Sequence, residues 1–230
     1  MNKEKTIENM FASGAHFGLG KSRRHPTLSN FIFFFLYGTD IIDLEKTEAL
    51  LEKAKAFVSN IAKEGKTILF VGGKKEAFKS IRNAAEMQNL PYVDGRWIGG
   101  TISNFPQIRR RIDRYEKLVS DKEKGELAKY TKRERMLIDK EIASLEKMFL
   151  GIVAMKKIPD ALFVIDPRRE KIAVKEANDY GIPVVALCGS DCDIKNIDYP
   201  IVANDSSKAS IQYFAEEISR SYQEGKSAKK

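Results

Sequence analysis

Residues 161–188 read ALFVIDPRREKIAVKEANDYGIPVVALC. Two runs, Ala161 to Asp166 and Pro183 to Cys188, are apolar almost throughout, and the residues between them, Arg169 to Tyr180, carry a helical pattern. A short strand that is apolar at every position is buried on both faces, which is the condition of a parallel sheet covered by helices above and below. Strand, helix and strand in that order form a crossover unit, so this stretch alone points to an α/β layer structure.

The same rhythm extends in both directions. Thr67 to Val71, Pro91 to Asp94 and Tyr199 to Asn204 read as further buried strands, and Glu45 to Lys63, Lys74 to Gln88 and Lys208 to Tyr222 as helices. The expected fold is a doubly wound parallel sheet in three layers, α/β/α, built from residues 45–102 and 153–222. Residues 1–44 are expected to be a basic N-terminal segment and hairpin packed on that core. Residues 223–230, which lack apolar periodicity, are expected to be a disordered basic tail.

Ser103 to Ile152 breaks the rhythm, being about twice as long as a crossover helix needs to be. Its apolar residues fall at Ile108, Ile112, Tyr115 and Val119, and again at Ile138, Ile142, Leu145, Phe149 and Ile152. Both series step by four and three, the spacing of a coiled-coil seam. Between them Gly125 interrupts a polar stretch, and Thr131 with Glu134 has the form of a capping box. The spacing predicts a protruding antiparallel coiled-coil helical hairpin over 103–152.

The chain has 230 residues, 43% of them hydrophobic, enough for one full core. Its 40 Lys and Arg against 32 Asp and Glu give a formal net charge of +8, which favours an acidic partner. Two cysteines, Cys188 and Cys192, are too few for a disulfide scaffold and fit a reducing cytoplasm. No run reaches the roughly 18 apolar residues of a spanning helix, and the first residues lack a signal-peptide core, so a soluble cytoplasmic protein with no membrane partner is expected.

In a doubly wound sheet, ligands bind at the carboxyl ends of the strands, here the loops VGGKK, VDGRWIGG and IDPRRE. Gly72 and Gly73 followed by Lys74 and Lys75 at a helix start could cradle a phosphate, although the pattern matches neither the dinucleotide fingerprint nor a Walker loop. Asp166 is the best-placed acid, but with Pro167 next to it the residue also reads as a helix start. No nucleophile elbow or recurring carboxylate pair accompanies them, so no catalytic residue is assigned. Cys188 and Cys192 could give two thiolates, yet a structural zinc needs four ligands and no others are evident; no metal or cofactor is expected. A phosphate- or nucleotide-binding enzyme using the strand-end loops stays open as an alternative, as does a free protein-interaction module using the helical hairpin.

The basic residues are more telling. Arg109, Arg110, Arg111 and Arg114 leave a helix whose apolar seam is already assigned, and Lys132, Arg133 and Arg135 open the returning helix. Arg96 and Trp97 combine a forked cation with a flat ring that can stack on a base, in the alternative to packing on the sheet. Lys21, Arg23 and Arg24 make a second cluster. Together these favour a large polyanion over a small substrate.

The motifs GAHFG (14–18), IIDLEKT (41–47), ILFVGGKKEA (68–77), GRWIGGTISNF (95–105) and PDALFVIDPRREKIAVKEA (159–177), followed by GIPVVAL and NDSSKASI, resemble in order those of the second protein of the bacterial-type small ribosomal subunit. The resemblance implies a flavodoxin-like domain with a protruding coiled-coil hairpin. It implies a non-enzymatic structural role in which small-subunit rRNA is bound and neighbouring small-subunit proteins, including the large mRNA-capturing first protein, are partners. It places Arg96, Trp97, Thr101 and Asn104 in one family block and Lys74 and Lys75 in another. Two departures stand out: Leu19 and SRRHP replace a histidine and a Trp-Asn-Pro portion, and Phe34, Phe35, Leu36 and Tyr37 extend an apolar run where the family turns with glycine and charge. That run is expected either to pack under a neighbouring ribosomal protein or to be buried on this domain's own helices.

Overall fold

The computed structural model describes residues 3–228. A central parallel sheet is formed by β3 (Ile68–Val71), β4 (Tyr92–Val93), β5 (Ala161–Ile165), β6 (Val184–Cys188) and β7 (Tyr199–Val202), in the order β4-β3-β5-β6-β7. The strands are apolar throughout because both faces are covered. Phe70, Phe163, Ile165, Val185 and Leu187 point into one layer, closed by α2 (Leu44–Lys63), α3 (Phe78–Glu86) and α7 (Lys208–Ser227). Leu69, Val71, Leu162, Val164 and Ala186 point into the other, closed by α6 (Lys171–Asp179) and the adjoining ends of α4 (Phe105–Glu123) and α5 (Lys132–Phe149). Each fully buried Leu, Ile or Phe contributes about 1.5–3 kcal/mol through removal from water, which is why the pattern of both faces fixes the strand register.

Local signals set the helix ends. Asp43 accepts from the Glu45 amide at 3.1 Å to start α2. Thr131 and Glu134 form a complete capping box at the start of α5, and Gly125, at φ +73°, turns the chain after α4. The helices α4 and α5 lie side by side. Ile108, Ile112, Ile142, Leu145 and Phe149 are buried near the sheet, whereas Met136 and Leu137 farther along α5 are exposed. Arg114 pairs with Glu141 and Lys122 with Asp139 across the two helices, but these exposed pairs contribute little and act mainly on register.

The N-terminal residues add α1 (Lys3–Ala12), which packs on α2 and which the sequence reading did not anticipate, and an antiparallel pair, β1 (Ile32–Leu36) and β2 (Thr39–Ile42). Tyr37 and Gly38 join the pair with φ of +47° and +85°, the two left-handed residues of a type I′ hairpin turn.

Two expectations are corrected. The helix predicted from Lys74 starts at Phe78, because residues 74–77 are held in turns while Lys74 reaches back to the strand ends. The predicted tail is helical from 223 through Ser227, with 229 and 230 outside the described residues. The reason is Gly225: α7 crosses α2 so closely there that a Cβ would run into the Ser59 carbonyl oxygen and come within 2.9 Å of the Ala62 Cβ. Gly225→Val therefore forces α2 and α7 apart, and a urea melt should show a loss of about 1–3 kcal/mol; an unchanged midpoint would mean that the last turns of α7 do not contribute to the fold.

Candidate nucleic-acid interface

The crevice at the carboxyl ends of the strands, where a sheet of this order offers its ligand site, is filled from within. Lys74, just beyond β3, places Nζ 2.6 Å from Asp166 Oδ2 after β5 and 2.8 Å from Asp205 Oδ2 after β7. Burial alone would lower the Lys74 pKa, but the two carboxylates outweigh it and hold the ammonium charged. Burial and the nearby Asp166 raise the Asp205 pKa, with Lys74 opposing them. Two carboxylates share a single ammonium, so Asp205, already disfavoured as an anion by burial, also feels the Asp166 charge. Asp166 adopts φ +58° and takes the Arg169 amide on Oδ1, while Gly189 leaves room for Asp205, whose Oδ1 would lie 2.6 Å from any Cβ there.

Lys74 is thus not a phosphate ligand, which corrects the sequence assignment. Nor do Gly72 and Gly73 open a phosphate cradle, since the Glu170 carboxylate packs against Gly73, an oxygen so near that a Cβ there would collide with it. Asp166, Asp205 and Cys192 bring oxygen and sulfur atoms within 4.8 Å of one another, but the Lys74 ammonium already supplies the cation between the carboxylates. Cys188 and Cys192 are both buried free thiols, and burial pushes the Cys188 pKa up.

The GRWIGGTISNF loop is organised by a residue that sequence reasoning missed. Glu176, buried on α6, accepts the backbone amides of Gly100, Ile102 and Ser103 at 2.7, 3.0 and 3.2 Å. Burial would raise its pKa, but these amides overcome it and the net shift is downward. The Trp97 indole N–H forms no hydrogen bond of good geometry, yet its dipole also favours the ionised carboxylate. Trp97 is only 5% exposed and sits in the core, so it cannot stack on a base. Thr101 is likewise buried and donates to the Ile98 carbonyl at 2.6 Å. Both assignments to RNA contact are corrected to loop packing; Arg96 and Asn104 are exposed.

Similar sorting applies to the other cations. Arg109 joins Asp113 and Glu116 on its own helix and the Val153 carbonyl, at 2.8 Å, beyond α5. Arg114 pairs with Glu141, and Arg24 with the fully buried Asp40. These are held by protein carboxylates. Lys21, Arg23, Lys75, Arg96, Arg110, Arg111, Lys132, Arg133 and Arg135 are exposed, and among the described residues none of them has an ion-pair partner. The structure therefore leaves unpaired cations exposed on the GRW loop, on α4 and on the first turn of α5. Phe34, Phe35 and Leu36 are 43–48% exposed and Tyr37 is 96% exposed, which excludes their burial on this domain's own helices.

A closed strand-end crevice and a rim of free cations define an α/β domain suited to a polyanion. The family profile described as "Ribosomal protein S2" matches residues 10–225, and the chain belongs to that family. Among its curated relatives are three proteins named small ribosomal subunit protein uS2. That of Coprothermobacter proteolyticus is 40% identical over 221 residues, 96% of this chain and 82% of the relative. That of Dictyoglomus thermophilum is 41% identical over 220 residues, 96% and 89% of the two chains. That of Sulfurimonas denitrificans is 42% identical over 221 residues, 96% and 85%.

The Glu176 anchor has a pH signature. A carboxylate whose folded-state pKa is depressed stabilises the fold above its unfolded value and loses that effect as pH falls through the folded value. Glu176→Gln should cost about 1–3 kcal/mol at neutral pH, with the gap to the wild type narrowing as pH falls below the ordinary glutamate value of about 4.3. A gap independent of pH, measured by urea unfolding, would show that the charge is not what holds the loop.

Proposed function

We propose that this chain is a structural component of the small ribosomal subunit, working in the cytoplasm as part of the ribosome, and that it grips small-subunit rRNA through the free cations of its rim. Membership of the ribosomal protein S2 family carries the reading, and the charge distribution supports it. No enzymatic activity is assigned: the family is a structural one, and Lys74 with its two aspartates occupies the crevice a substrate would need.

Arg110, Arg111, Arg133 and Arg135, on the helical pair, and Arg96 with Lys75, at the strand ends, meet phosphate oxygens. Binding of this kind draws its free energy from counterion release and weakens steeply with salt. Sequence readout is minor, since A-form RNA presents backbone and shape more than readable base edges. Sedimentation of a lysate through a salt-containing gradient should place the protein with the small subunit, and ribonuclease should abolish that position. Charge reversal at Arg110 and Arg111 should reduce occupancy in purified subunits at least about tenfold at moderate salt; full occupancy would remove these residues from the interface.

The exposed hairpin completes the proposal. Phe34, Phe35, Leu36 and Tyr37 pack under a neighbouring small-subunit protein, for which the large mRNA-capturing first protein is the candidate. Tyr37, nearly fully exposed in a left-handed backbone conformation, caps that apolar tip. Replacing Phe34, Phe35 and Leu36 together by serine should leave rRNA attachment intact and lower co-purification of the first protein. Undiminished co-purification would rule the contact out.

A further inference from the structure

Two compartments lie side by side at the carboxyl edge of the sheet, beyond β5 and β6 and beside the crevice that Lys74 fills. One, of about 520 Å³, is lined by Ser22, Arg23, Arg24, His25, Arg168 and Asp191. The second, of about 630 Å³, shares His25, Arg168 and Asp191 with it and continues along α6 past Lys171 and Lys175. The cleft thus unites the N-terminal basic cluster with a helix that begins some 145 residues later in the chain.

Arg24 sends Nε and Nη2 to the two oxygens of the buried Asp40, which orients the guanidinium and leaves Nη1 without an acceptor among the described residues. Arg168 meets Asp191 through Nη1 alone and its side chain stays 62% exposed. An arginine fixed by a bidentate carboxylate, as Arg24 is, presents a rigid second edge to an anion at little further loss of side-chain freedom. Arg168 lies in the turn that precedes α6, while Lys171 and Lys175, one helical turn apart, share a face of the helix, and all three line the second compartment. Arg23, Lys171 and Lys175 are exposed and have no ion-pair partner among the described residues. The carboxylates of the first compartment, Asp191 and the underlying Asp40, are both taken up by arginine, and Asp179 and Asp193 line only the second.

We propose that this cleft is a second RNA-backbone site, in which Arg23, Arg24 and Arg168 hold one phosphodiester group and Lys171 and Lys175 the groups that follow along the same strand. The proposal rests on the ribosomal reading. A run of phosphates suits the cleft better than a small metabolite does, because its cations are spread over two adjoining compartments instead of converging on one point.

The test is the rebinding of full-length protein to small subunits stripped of it, over a range of salt. Lys171→Gln with Lys175→Gln is the variant of choice, since neither lysine holds a carboxylate and the fold should be unaffected, as a thermal melt will check. The double variant should flatten the slope of log affinity against log salt by roughly 1.4–1.8 and lose cross-links between α6 and rRNA. Wild-type rebinding with an unchanged slope and unchanged cross-links in the variant would overturn the cleft alone. Failure of the wild type to rebind would overturn the ribosomal reading, and the cleft with it. Saturable binding of inorganic phosphate to the isolated wild type, lost in the variant while subunit binding is unaltered, would reassign the cleft to a free phosphate and equally overturn the proposal.

Discussion

One ammonium between two carboxylates holds the carboxyl edge of the sheet together. Lys74 ties the ends of β3, β5 and β7 through Asp166 and Asp205, and the contact is stringent because all three groups are largely withdrawn from water. Truncating one member of such a cluster leaves an uncompensated charge in a poorly solvating environment, a cost of about 3–5 kcal/mol. The geometry around it follows: Asp166 accepts a left-handed backbone, residue 189 must be glycine-sized, and the turns after β3 precede a late-starting α3.

The same contact decides where function can lie. In an α/β sheet of this order the switch between β3 and β5 is the natural ligand position, and here it is occupied by the protein's own charges. What remains for a partner is the perimeter. There the cations divide into two populations that composition cannot separate. Arg24, Lys74, Arg109 and Arg114 are engaged by aspartate and glutamate, whereas Arg110, Arg111, Arg133 and Arg135 project into solvent. The second population can give up its counterions to a phosphate backbone without breaking an internal pair, whereas Arg24 can do so only through the guanidinium edge that Asp40 leaves free.

The layers and their order of elements were legible because burial on both faces writes itself as uninterrupted apolar strands, as in ALFVI and VVALC. The two helices of the 103–152 segment were legible from the spacing of Ile108, Ile112, Leu145 and Phe149, and the start of α5 from Thr131 and Glu134. The site was legible only in part. Arg110, Arg111 and Arg96 kept the exposure that their sequence context implies, but Lys74 and Asp205 are 131 residues apart, and no local pattern announces such a pair. Glu176 looks like any acidic residue of a surface helix until the loop at Gly100 folds over it. Trp97, the single tryptophan, suggested stacking on a base because of its neighbour Arg96, yet the ring turns inward and only the arginine faces out. The C-terminal residues misled for a different reason: they carry no apolar periodicity, and it is the small size of Gly225 that lets α7 lie against α2.

The most direct measurement is a cryo-electron microscopy structure of the small subunit containing this protein, at a resolution that shows guanidinium and phosphate groups. The account predicts that Arg110, Arg111, Arg133 and Arg135 lie within hydrogen-bonding distance of rRNA phosphates while Lys74 stays between Asp166 and Asp205 and Arg109 stays on Asp113 and Glu116. A structure in which Lys74 or Arg109 has left its carboxylates for phosphate, with the free arginines facing solvent, would contradict it.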